Sequence, residues 1–162
     1  MPEFLARWQV SRGLAPERAR ERVRAILLDE GIGAFSVPSG GRSLIWTAYF
    51  AIEMPDRISV LTSPRSEHGT ALVPGSPISM CAFRRPRSWG EPICGLQAFG
   101  VVQEIGGIAA ESAYCARFPE YAGWRSAGGI TESRFFSIRL ESIKLIDEEH
   151  FGEEIHVVLR TQ

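Results

Sequence analysis

The chain has 162 residues, of which 44% are hydrophobic and 23% charged, with a formal net charge of −1. That length accommodates one domain over residues 1–162, with a core large enough to fold without a metal or disulfide staple. The balanced charge excludes a strongly basic nucleic-acid module and a polyacidic tail protein, and no apolar run approaches the roughly 20 residues of a membrane-spanning helix.

Residues 1–15 have no apolar segment of the secretory kind and read as a flexible arm of a cytoplasmic protein. Pro16 suits a first helical turn and Glu17 complements the helix dipole. Ala19, Val23, Ile26 and Leu27 then recur at helical spacing until Gly31, which predicts a helix over 16–30. Its arginines at 18, 20, 22 and 24 alternate with Glu17, Glu21 and Asp29 as a solvated face. The period then changes to that of β structure. Strands are predicted over 33–37, 43–53 and 57–62, joined by turns at 38–42 and 54–56, which makes an antiparallel meander.

Residues 63–76 break this pattern, and Ser66 is placed to cap a short helix that ends before Pro74-Gly75. Strands over 77–84 and 92–105 follow, on either side of a polar loop holding Arg84, Arg85, Arg87 and Trp89. Gly95 and Gly100 inside the second of them mark bends or a close approach. Residues 108–118 read as a helix stopped by Pro119, and 120–133 as irregular. Two more strands are expected over 134–146 and 154–160. Sequential antiparallel strands with peripheral helices favour a mainly β (α+β) chain closed into a six- to seven-stranded barrel, since closure removes exposed strand edges.

Three local sequences carry a family likeness: Ile58-Ser-Val-Leu-Thr62 with Ser66-Glu-His68 and Pro77-Ile-Ser-Met-Cys-Ala82; Gly95-Leu-Gln-Ala-Phe-Gly100; and Tyr114-Cys-Ala-Arg-Phe-Pro119 followed by 136–147 and Phe151-Gly152. In this order the chain resembles the FMN-binding split barrels of the pyridoxamine 5′-phosphate oxidase-like superfamily, and within it a small bacterial branch, over roughly residues 20–160. The resemblance implies a split barrel that forms a homodimer with two FMN sites at the subunit interface. It places the flavin against the second strand at Trp46, Thr47, Ala48 and Tyr49. It places the phosphate at Thr62, Ser63, Arg65, Ser66 and His68, and brings Gln97 to the ring. Arg65 can hold a phosphate through two donors, but Glu67 stands beside it, unfavourable to a dianion. The paired Arg and His residues by which the true oxidase holds its pyridoxal-type substrate are missing, which argues against vitamin B6 oxidation.

The remaining chemistry is sparse. His68, His150 and His156 have no metal-binding spacing, and the last two read as surface residues. Cys81, Cys94 and Cys115 are odd in number, lack a Cys-x-x-Cys pair, and read as reduced, inert thiols. There is no nucleophile elbow, Walker loop or dinucleotide-binding glycine fingerprint. Trp46 and Tyr49 lie three apart on one strand and so face opposite sides; Tyr49 reads as core or interface, and Trp46 is left open. Two functions follow. One is a flavin-dependent oxidoreductase of an unknown small molecule, in which the cofactor carries the electrons. The other is a non-enzymatic barrel that binds haem or another planar ligand, or a scaffold without a cofactor.

Overall fold

A computed structural model describes residues 4–11, 15–128, 132–152 and 156–160. After a two-residue strand β1 (Gln9–Val10), helix α1 (Pro16–Asp29) carries Pro16 at its start and buries Ala19, Val23, Ile26 and Leu27, the predicted stripe. Strands β2 (Ile32–Ser39), β3 (Arg42–Glu53) and β4 (Arg57–Thr62) form the meander. Gly40 and Gly41, with φ of 57° and 79°, make the two-residue turn between β2 and β3. Positive φ at both central positions gives that turn a twist matching its flanking strands. Helix α2 (Glu67–Ala71) follows, then β5 (Pro77–Phe83) and β6 (Cys94–Ile105). Helices α3 (Ile108–Arg117) and α4 (Pro119–Ser126) lead to β7 (Arg134–Asp147), the short α5 (Glu148–Phe151) and β8 (His156–Arg160).

Six antiparallel strands close in the order β7-β4-β3-β2-β5-β6 and back to β7, and β8 and β1 extend the sheet beyond β7. Strand β7 is long enough to serve three neighbours: its first half pairs with β4, its second with β8, and both with β6. The β6–β7 ladder shifts register at Phe99/Gly100 and at Val102/Glu104. A Cβ at Gly100 would run into the Arg139 carbonyl oxygen, so glycine permits the close approach at the first shift. Phe35, Phe50, Ile58, Val60, Phe136, Ile138, Leu140 and Leu145 fill the interior, and the buried stripe of α1 joins the same core. Among the described residues, no helix is long and apolar enough to cross a membrane.

Three expectations need correction. Residues 4–11 are not a free arm: Phe4, Leu5 and Trp8 are buried in the main core, the Leu5 amide donates to the Pro55 carbonyl at 2.9 Å, and β1 pairs with β8. Three large apolar side chains within five residues anchor this segment despite its arginines. Residues 119–126 are helical rather than irregular, because Pro119 opens a helix as readily as it ends one. His150 is not a free surface residue, since its Nδ1 lies 2.9 Å from the buried Asp147 carboxylate. The expected start of the last strand at Glu154 and the side chain of His156 lie outside the described residues.

Candidate functional site

Strand alternation sorts the residues expected along β3. Trp46 and Ala48 turn toward the barrel interior, and Thr47 and Tyr49 point outward. Trp46 packs on Phe35 and stacks on the His68 ring, at a centroid distance of 4.5 Å and an interplanar angle of 8°. Thr62 Oγ1 lies 2.8 Å from His68 Nε2, so Trp46, Thr62 and His68 form one layered unit. The Trp46 indole nitrogen is buried and has no hydrogen-bond partner among the described residues. Burial lowers the His68 pKa below its ordinary value, only partly opposed by Glu67, so the imidazole is neutral at pH 7.

The turn before α2 is built by local hydrogen bonds. Ser66 Oγ donates to the Ser63 carbonyl at 2.7 Å and accepts from the Gly69 amide at 3.0 Å, the predicted N-cap. Ser63 Oγ accepts from the Arg65 amide at 3.3 Å. The Arg65 guanidinium is exposed and ion-pairs with Glu132, and Glu67 ion-pairs with Arg42. Gln97 stands apart, three strands from β3 on the outer face of β6, where it lines a shallow groove of about 270 Å³ with Ile45, Cys81 and Phe99.

The largest hollow among those described lies on the other side of β3. Ala51 and Ser59 are small, and Ala110 of α3 sits on them, its carbonyl accepting from Ser59 Oγ at 3.3 Å. Where these residues give way to Tyr49 of β3 and Leu61 of β4, the helices leave a pocket of about 570 Å³. Its walls are Tyr114 from α3, Phe118 at the junction of α3 and α4, and Tyr121 and Trp124 from α4, with Glu120 and Ser133 at its margins. The rings hold one another edge to face: Tyr49 on Phe118 at 5.4 Å and Tyr114 on Tyr121 at 5.3 Å. Burial pushes the Tyr114 pKa up to about 12 and raises that of Tyr121, so both phenols stay neutral. Arg117 locks α3 in place by donating to the carbonyls of Leu27, Leu28 and Glu30 at the end of α1, at 2.7, 3.0 and 3.0 Å.

Of the expected residues, only Tyr49 lines this pocket. The helix over 108–118 was expected, but the wall from Tyr121 and Trp124 escaped sequence reasoning because 120–133 read as irregular. A signal was present: Tyr114, Phe118, Tyr121 and Trp124 follow helical spacing straight through Pro119.

A second polar cluster is structural. Burial would raise the Asp147 pKa, but the bonds from Arg22 Nε at 2.6 Å and from His150 outweigh it and hold the carboxyl below its usual value. Asp147, Glu149 and His150 bring ligand atoms within 4.8 Å of one another, yet both Asp147 oxygens are already engaged by these partners.

No family model and no curated protein match the sequence. Solved structures do match in fold. A haem-binding protein from Mycobacterium smegmatis superposes with a TM-score of 0.67 at 14% identity, over 87% of this chain and 57% of its own. This chain therefore spans little more than half of that protein. The haem storage protein HutZ from Vibrio cholerae gives 0.63 at 14% identity, over 82% and 97%. An F420 reductase gives 0.54 at 12%, over 74% and 94%. These neighbours are split-barrel-like proteins, consistent with the superfamily the sequence resembles; at such identities the likeness is one of fold.

Proposed function

We propose that this barrel binds a flat, metal-free conjugated ring of the isoalloxazine kind in the pocket between β3–β4 and α3–α4, and acts as an oxidoreductase of a small molecule. The observation that carries this reading is the pocket itself: about 570 Å³, walled by Tyr49, Tyr114, Phe118, Tyr121 and Trp124. Aromatic walls suit a planar ring, which they grip by stacking and edge contacts. The neighbours in fold, a haem-binding protein, a haem storage protein and an F420 reductase, support a planar ligand in general. The pocket lining favours the metal-free member of that class. No histidine lines it, and the phenols of Tyr114 and Tyr121 are held neutral, which opposes ligation of a haem iron.

Against FMN, the ring end fits and the phosphate end does not. Arg65 is paired with Glu132, Glu67 adds negative charge, His68 is neutral, and the Ser66 hydroxyl is engaged at both ends. A bound ring of this kind supplies electron or hydride transfer; the chain supplies the slot, the exclusion of water and neutral hydroxyls near it. Titration of the purified protein with riboflavin, FMN and haem tests the reading. Quenching of flavin fluorescence with a perturbed visible band is the expected result. A sharp Soret band with haem and no response to either flavin would replace it with the haem-carrier reading.

The same reading includes a homodimer. Ile45, Phe99 and Phe83 are exposed on the outer sheet face, and Ile45, Thr47 and Tyr49 continue that face along β3 to the pocket margin. A second copy covering this apolar surface would bring its own chain up to the ring slot. Sedimentation should show a dimer, and Ile45→Glu should shift it toward monomer; a wild-type chain that stays monomeric rejects the dimer.

A further inference from the structure

The charges around the aromatic slot point to a ligand whose tail is uncharged: we infer that the site takes a riboflavin-type molecule in preference to a phosphate-bearing one. This inference rests on the proposed ring slot. The pocket itself contains one ionisable charge, the acid Glu120. Each guanidinium nearby already has a partner. On the α2 side, Arg65 is paired with Glu132, which adjoins Ser133 at the pocket margin. On the α3 side, Arg117 is committed to three main-chain carbonyls of α1.

A neighbouring cleft of about 370 Å³ shares Tyr121 and Ser133 with the slot, and it is the other route a tail could take. There Arg125 is paired with Glu111, Arg134 donates to the Ser133 carbonyl, and the Glu104 carboxylate lies against Gly107. A phosphate dianion entering either side would have to displace a carboxylate from its arginine or sit beside one. Hydroxyl groups of a ribityl-type chain meet no such penalty, and the Ser133 hydroxyl and exposed carboxylates offer them partners.

Riboflavin and FMN differ by the phosphate alone, and lumiflavin carries the ring without the tail, so the three ligands separate ring from tail. Dissociation constants come from flavin fluorescence quenching at neutral pH and moderate salt. Riboflavin should bind about fivefold more tightly than FMN, the scale of one to two unfavourable charge contacts near a surface. The variant Glu132→Gln frees Arg65, and should erase or reverse that preference while leaving lumiflavin affinity unchanged. Glu132 is exposed, and a thermal melt checks that the fold is retained. FMN binding as tightly as riboflavin in the wild type, or a variant with an unaltered ratio, overturns the inference and leaves the ring slot standing. Failure of all three ligands to bind removes the ring slot, and this inference with it.

Discussion

The protein has two apolar layers built on the same strands, and they are packed differently. Inside the barrel, Phe35, Phe50 and Phe136 interleave with branched aliphatic side chains and leave no room for a ligand. On the outside, Ala51, Ala110, Tyr114, Tyr121 and Phe135 form a smaller cluster under α3 and α4, and rings set edge to face leave the 570 Å³ pocket. Aliphatic residues conform to one another; a few rigid rings propped on two short helices cannot close the same volume. The inner layer therefore holds the fold, and the outer one has space for a ligand.

Truncation separates these roles, and the largest effect belongs inside. Phe136→Ala should cost about 3–5 kcal/mol of stability, read as a lower urea midpoint, because a fully buried ring leaves a cavity in the barrel. A loss below about 1 kcal/mol would show that the interior is looser than its packing implies. Next comes the pair below the barrel wall. Arg22→Ala leaves the buried Asp147 carboxylate with His150 alone and should cost about 3 kcal/mol at neutral pH.

That pair also sets a pH dependence. The folded carboxyl of Asp147 titrates below its ordinary value of 3.8, so the unfolded chain binds the proton first as pH falls. The stability from this group is complete above that ordinary value and is lost as pH drops through the folded pKa. Denaturation followed from neutral to acid pH should show this fall in the wild type, and a flatter acid limb in Arg22→Ala.

Arg117→Ala tests the join between layers. It removes three charge-assisted bonds to the end of α1 and should cost about 2 kcal/mol while weakening ligand binding, since α3 forms one wall of the pocket. The smallest effect on stability, and the sharpest on function, is expected from Trp124→Ala. Trp124 is 61% exposed, so its loss should change stability by no more than about 0.5 kcal/mol. Flavin affinity should nonetheless fall by about tenfold, as expected when one ring contact to a planar ligand is removed. Unchanged affinity would take α4 out of the site.

The barrel was legible because its signals are local. The β-rich runs along 43–53 and 134–146, the turn glycines at 40 and 41, the Ser66 cap and the helical stripe from Ala19 to Leu27 each reappear in the structure, most within two residues of the predicted bounds. The opposite facing of Trp46 and Tyr49 was legible too, since a strand has a period of two. The candidate site was legible only in part. Tyr49 is among the expected residues, but Tyr121 and Trp124 are not, because Pro119 reads as the end of the helical run.

From the sequence alone followed what depends on neighbours a few residues apart: an antiparallel β chain, its turns, the Ser66-capped helix, and the opposite facing of Trp46 and Tyr49, though not which of the two faces inward. Only the tertiary structure decided which helices lie over which strands, that Phe4, Leu5 and Trp8 seal the core, and that Arg65 faces Glu132. Those relations join residues far apart in the chain, and they are set by how volumes and charges fit together in space, for which no short-range pattern exists.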